Sequence, residues 1–416
     1  SAASASPTCC FPSLPTLRTI DPRRARAGGD AARTYALTLL LLLAASAACA
    51  ATLTVSPNGP IATIAQAARV ARDDDIVEIA AGTYRGDVAV WRQKRLTIRG
   101  IGGTPVLSAK GQIAEGKAIW VIRDGDFAIE NVAFEGARSP ARNGAGIRFE
   151  RGRLAVRRCR FTDNENGILT GNIADSELTI EDTEFARAPH DRGTRKHLLY
   201  VGRIGRFTLT GSRFHQGFEG HLVKSRARES HVAYNLLYDG AGGQAAYELE
   251  FPDGGLAVVI GNIIGQSSTT TNPVVVSYGA EGSVWPRNAL YLVNNTLLSD
   301  AAGAWFLRVV TEQFPAGVDV VATNNLTVGV GLFTLASPGQ FEGNFPVLAG
   351  ALGDPDTLDF RLGAHSLLRG LGVAPPVIGG MSLAPTAEFT LPVGTTLLAP
   401  RDAWTPGAFQ SPDPQR

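Results

Sequence analysis

The chain predicts an all-β fold, a right-handed parallel β-helix in which short strands stack coil upon coil behind an N-terminal capping helix. Three observations predict it. An eight-residue block with apolar residues at its first, third and eighth positions recurs along the chain. The clear copies start 24 to 29 residues apart, and no helix-length amphipathic segment separates them.

The block reads Phe127-Ala-Ile-Glu-Asn-Val-Ala-Phe134 and returns as Leu154 to Phe161, Leu178 to Phe185 and Phe207 to Phe214. Later copies drift, from Val232 to Leu237, Val259 to Ile264, Leu290 to Leu297 and Val320 to Thr327. They share Asn235, Asn262, Asn295 and Asn325, each two residues before the final slot. Alternation of apolar and polar residues is the signature of a strand with one buried face, and a period of this length is one coil of a solenoid. The consensus of a leucine-rich repeat and the four-strand unit of a propeller are both missing.

The ends fit a capped solenoid. Ile61 to Ala71 has helical apolar spacing after Pro60 and is followed by strands at Ile76 to Ile79 and Leu96 to Ile98. A helix there would cover the first open sheet edge. Coils are expected from about Thr52 to Leu371 within a domain of residues 51–373. Residues 374–416, rich in proline, read as an extended tail packed along the coils. Before the coils, Arg33 to Ala50 has a basic flank, a short leucine run and a small-residue exit, the pattern of a signal peptide cut just after Ala50. A lipoprotein junction at Cys49 is the alternative, with Ser46 where a branched apolar residue is usual. Residues 1–32 read as an upstream extension, and the mature chain is expected in the periplasm or outside the cell. Cys159 is then the one cysteine left, which excludes a disulfide framework and suggests a packed thiol.

Hydrophobic content of 44% with 47 glycines and 24 prolines excludes a charged disordered chain. A net charge of +1 gives no global attraction to nucleic acid or membrane, and a monomer is expected. Charge is local instead. His190, His197, His215, His221 and His231 fall in one stretch, and Arg187 to Arg228 holds ten Lys or Arg against Asp191 and Glu219. An anionic ligand is one explanation, and a solvated face neutralised from elsewhere in space is the other. The pairs His197/His221, Tyr200/Lys224, Lys224/Glu248 and Arg226/Glu250 are each 24 residues apart. In register they form outward columns, with Tyr247, Leu249 and Phe251 facing inward. Removing the proton beside a sugar carboxylate needs a base, a cation for the developing charge and a proton donor. Lys224, Arg226, His221, His197 and Tyr200 fit those roles, Arg192, Lys196, Arg228 and Tyr234 flank them as substrate contacts, and Glu219, Glu248 and Glu250 are oxygen donors suited to Ca2+.

The segments Asp75 to Tyr84, Leu96 to Gly100 and Asp359 to Gly372 resemble the opening and closing motifs of bacterial pectate-lyase-like right-handed β-helix proteins. Within the coils, Glu219-Gly-His-Leu-Val-Lys-Ser225 resembles a segment of chondroitinase B and the related alginate lyases. That resemblance implies Lys224 as base and Glu219 as a calcium ligand, although His221 stands where a second acidic residue is expected and Glu250 where the family has arginine. Pro189-His-Asp-Arg192 is similar to mannuronan epimerases and implies a catalytic His190, with Ala188 replacing the family's aspartate. The expectation is a protein that binds an acidic, uronate-containing polysaccharide and cleaves it by β-elimination. A non-catalytic carbohydrate-binding or surface protein and a uronate C5-epimerase are the alternatives.

Overall fold

The computed structural model describes residues 50–191 and 196–411. Three parallel sheets of twelve, eleven and ten strands wrap one core in about ten turns, and each coil gives a short strand to each sheet in that order. Arg192 and the leader segment lie outside the described residues.

The repeated block spans the first two of these sheets. Phe127, Leu154, Leu178 and Phe207 pair in register in the twelve-stranded sheet, and Phe134, Phe161, Phe185 and Phe214 do so in the eleven-stranded sheet. The second set stacks ring on ring at 4.9, 4.7 and 4.5 Å. Burial of each such ring contributes about 1.5–3 kcal/mol. Between the two strands of every coil from Asn131 to Asn325 lies a corner of only two residues. Its first residue has left-handed φ, from 49° at Asp182 to 65° at Gly261. Its second points inward as a rung of a ladder.

Early rungs are small: the Cys159 N–H donates to Thr183 Oγ1 and the Thr183 N–H to Ser212 Oγ. From Asn235 onward the rungs are asparagines. Each Oδ1 of Asn262, Asn295, Asn325 and Asn344 accepts the backbone N–H and the Nδ2–H of the rung before, at 2.8–3.0 Å. The amides thus satisfy corner groups that could not reach water. Burial pushes the Cys159 thiol up to about 12, so it packs rather than reacts.

The caps differ in detail from expectation. The first helix is Ile64–Val70, shorter than the apolar spacing suggests, because Thr63 caps it in a reciprocal box with Gln66. It packs on the end strands of the ten- and twelve-stranded sheets. The parallel sheets stop at Phe345–Val347, and Leu352–Asp354 and Asp359–Leu362 pair antiparallel instead. The tail holds two short hairpins, Val377–Ser382 and Ala387–Leu397. It hydrogen-bonds the left-handed corner residues Gly211, Tyr234, Asn294 and Asn324. No described helix is long and apolar enough to cross a membrane.

Candidate functional site

The ten-stranded sheet carries the candidate site. In its strands His197–Val201 and His221–Ser225, Tyr200 pairs with Lys224, so the 24-residue column predicted there exists. The rings of His197 and His221 likewise lie 4.7 Å apart.

The next coil does not continue these columns as expected. Lys224 pairs with Glu250, and His221 with Tyr247, a step of 26 residues. The corner Asp239–Ala246 has eight residues where Gln216–Gly220 has five, and the turn Arg226–Arg228 has three where Gly202–Gly205 has four, so the step grows by two. Two predicted orientations are also reversed, because the second and third positions of these strands both face the core, as Leu222 and Val223 do. Tyr247 faces outward and stacks on His221 at 4.9 Å and 12°. Glu248 faces inward, fully buried, in a slot occupied in neighbouring coils by Leu222 and Val275. Neither of its carboxyl oxygens has a hydrogen-bond partner. Burial, then the nearby Asp239, pushes its pKa well above the usual carboxylate range.

Outside the sheet, the charges form a continuous chain. His221 Nε2 is 2.7 Å from Glu250 Oε2, and Lys224 Nζ lies 3.1 Å from the same oxygen and 2.8 Å from Glu281 Oε1. Arg226 donates Nη2–H to Glu281 Oε2 at 2.5 Å, Nη1–H to Asp253 and Nε–H to Tyr200 Oη at 2.8 Å. Arg203 closes the far end on Asp253 at 2.6 Å. His197 Nδ1 receives the His221 backbone N–H at 3.2 Å and lies 2.9 Å from His221 Nδ1. With His197 Nδ1 accepting the backbone N–H, His221 Nδ1 is the donor between the two rings. Burial raises the Glu250 pKa, but hydrogen bonds from His221 and Lys224 outweigh it and the net shift is downward. At Glu281 the same opposition, with Lys224 and Arg226 as donors, ends with the carboxyl held down to about 2.

The structure thus brings together Lys224, Arg226, His221, His197, Tyr200 and Glu250, and adds Glu281, Asp253 and Arg203, which spacing could not place. Asp253 and Glu281 sit in the turns Asp253-Gly254-Gly255 and Gly279-Ala280-Glu281-Gly282, whose glycines were the available signal. Other expected residues lie apart. His190 stacks on Phe218 at 4.6 Å beside a cleft of about 870 Å³ at the corner entering the ten-stranded sheet. Lys196 is buried against the Asp191 carbonyl. Arg228 is exposed in the turn toward the twelve-stranded sheet. Tyr234 is held by the tail, its Oη accepting the Thr386 N–H at 2.8 Å. His215 bonds Glu184 on the eleven-stranded sheet, and His231 lies on the twelve-stranded sheet. The histidines close in sequence are therefore spread over all three walls.

The residues expected to hold calcium are separated, with Glu219 in the corner Gln216–Gly220. Glu248 faces the core, Glu250 is taken by His221 and Lys224, and among the described residues no three His, Cys, Asp or Glu are placed to hold a metal.

No family model matches the chain, and no curated protein does. Among solved structures one match spans 82% of this chain and 96% of the other, with a TM-score of 0.50 and 13% identity. The matching structure is that of pectate lyase Pel9A. At that identity the likeness is one of fold: the chain is a pectate-lyase-like right-handed parallel β-helix.

Proposed function

We propose that the outer face of the ten-stranded sheet binds an acidic, uronate-containing polysaccharide and cleaves it by β-elimination. The observation that supports this reading is the meeting of two cations, Lys224 and Arg226, with a tyrosine and a histidine pair on one outward surface. A pectate lyase of the same fold adds weight to the substrate class.

The contacts suggest a division of labour that differs from the sequence expectation. Lys224 donates to two carboxylates, the arrangement of a neutralising cation rather than of a base, so it joins Arg226 in holding the uronate carboxylate. Tyr200 enters the step as a phenolate held by the Arg226 Nε–H, takes the proton beside that carboxylate and becomes the neutral phenol. The C–H electron pair becomes the new C=C bond as the glycosidic C–O bond breaks. His197 protonates the leaving oxygen from Nε2 and is reprotonated at Nδ1 by His221.

The test is ultraviolet absorbance of unsaturated uronate ends on alginate, polygalacturonate and glycosaminoglycans. Tyr200→Phe and His197→Ala are expected to lower kcat by about 100-fold or more, and Lys224→Ala to raise KM. Wild type that forms no such ends on any of these polymers would rule out the lyase. The pairing of both cations with carboxylates favours a second reading, a binding module without chemistry, in which polymer is bound and no product forms.

A further inference from the structure

Glu281 is not part of the sheet, yet its carboxylate bridges the two cations assigned above to the substrate. One oxygen is 2.8 Å from Lys224 Nζ and the other 2.5 Å from Arg226 Nη2. A carboxylate spanning two cations in this way has the charge and shape of a uronate carboxyl group in the same place. Its side chain is 46% exposed, whereas Lys224 and Arg226 are 7% and 13% exposed beneath it. The turn that carries it is anchored separately. The Glu281 N–H donates to Pro252 O at 2.9 Å, the Val284 N–H to Asp253 O at 3.0 Å, and Trp285 Nε1–H to Arg226 O at 3.0 Å. Side-chain rotation alone is enough to lift the carboxylate away and leave the turn in place.

We infer that Glu281 is a built-in competitor: it occupies the uronate-carboxylate subsite in the resting protein and is displaced when an acidic glycan binds. The inference rests on the acidic-polysaccharide reading of this face. Lys224 and Arg226 each keep one buried carboxylate, Glu250 and Asp253, and Glu281 adds the exposed one that a ligand can replace. A ligand then binds only the fraction of molecules in which the carboxylate has swung out, and its apparent affinity falls by that fraction.

Calorimetric titration with galacturonate and mannuronate oligomers tests this on wild type, Glu281→Gln and Glu281→Asp, with thermal melts to confirm folding. If the displaced form is about a tenth of the population, both variants bind about tenfold tighter. Aspartate decides the cause, because it keeps the charge and is one methylene too short to bridge both cations. Tighter binding by both variants supports displacement. Wild-type affinity in Glu281→Asp with a gain only in Glu281→Gln would show a simple charge effect and overturn the inference. Equal affinity in all three would overturn it too, while the acidic-glycan reading stands. No binding by any of the three would remove that reading and the inference together.

Discussion

Two corners of each coil receive the same chain and treat it differently. The corner from the twelve- to the eleven-stranded sheet has two residues in every coil from Asn131 to Asn325, a left-handed residue and an inward rung. The corner from the eleven- to the ten-stranded sheet has five residues at Gln216–Gly220, eight at Asp239–Ala246 and seven at Ser267–Pro273. The first is tied rung to rung by hydrogen bonds, so a change of length in one coil would unpair its neighbours. The second faces outward beside the candidate site and is tied by scattered bonds, such as Glu219 N–H to Gln244 O and Thr269 Oγ1–H to Gly243 O, rather than by one repeated rung, so its length varies.

The largest effect that would break this comparison is an insertion in the short corner. Gly-Ser placed between Asp182 and Thr183 should remove the Thr183 and Ser212 bonds and carry the following strand two residues out of register with its neighbours. Loss of the cooperative unfolding transition in circular dichroism is expected, and a variant that melts like wild type would show that the ladder does not set the register.

A middle-sized effect concerns Glu248, which occupies the inward second position of its strand. Leucine there matches the slot held by Leu198 and Leu222 and removes two unpaired buried oxygens. Glu248→Leu should raise stability by about 1–3 kcal/mol, read from the guanidinium midpoint. The sign with pH follows from the raised pKa: wild-type stability is complete below the ordinary value of 4.5 and is lost as pH climbs through the raised one. Asp239, pushed by burial to about 6, adds a loss of the same sign from 3.8 to about 6. The variant's advantage should therefore grow from pH 4 to pH 8, and an advantage that shrinks would contradict the assignment.

The smallest effect is the same Gly-Ser insertion between Ala241 and Gly242 in the long corner. Both residues lie at a turn with Gly240 and Gly242 at positive φ, and lengthening such a loop costs about 0.6 kcal/mol per doubling. A midpoint shift of less than about 1 kcal/mol is expected, and a large one would mean that this corner is as constrained as the other.

The same contrast explains what the amino-acid pattern could reveal. The Phe134 to Phe214 stack and the Asn235 to Asn325 ladder were legible because a fixed two-residue corner carries one strand's register into the next. The Tyr200/Lys224 and His197/His221 columns were legible because their coils differ little in length. Lys224/Glu248 was misread because subtraction assumes an equal corner. Tyr234 was expected as a substrate contact, and only the returning tail shows what it holds. Glu281 was out of reach, since a turn from a later coil brings it 57 residues back to Lys224.

The asparagine ladder also gives the molecule a direction. Every rung from Asn262 to Asn344 turns its side-chain carbonyl oxygen toward the preceding coil and receives that coil's amide hydrogens. The amides are thus lined up head to tail along the solenoid axis, as peptide groups are within a helix, with their negative ends toward the N-terminal coils. Neighbouring members of such a line polarise one another, so a rung in the middle is held more firmly than one at either end. At Asn235 the line meets Ser212, whose backbone N–H takes the last oxygen and whose hydroxyl turns back on its own coil. The line of amides therefore has two unlike ends: it starts at Asn344 and hands over at Ser212 to the hydroxyl rungs of Ser212 and Thr183.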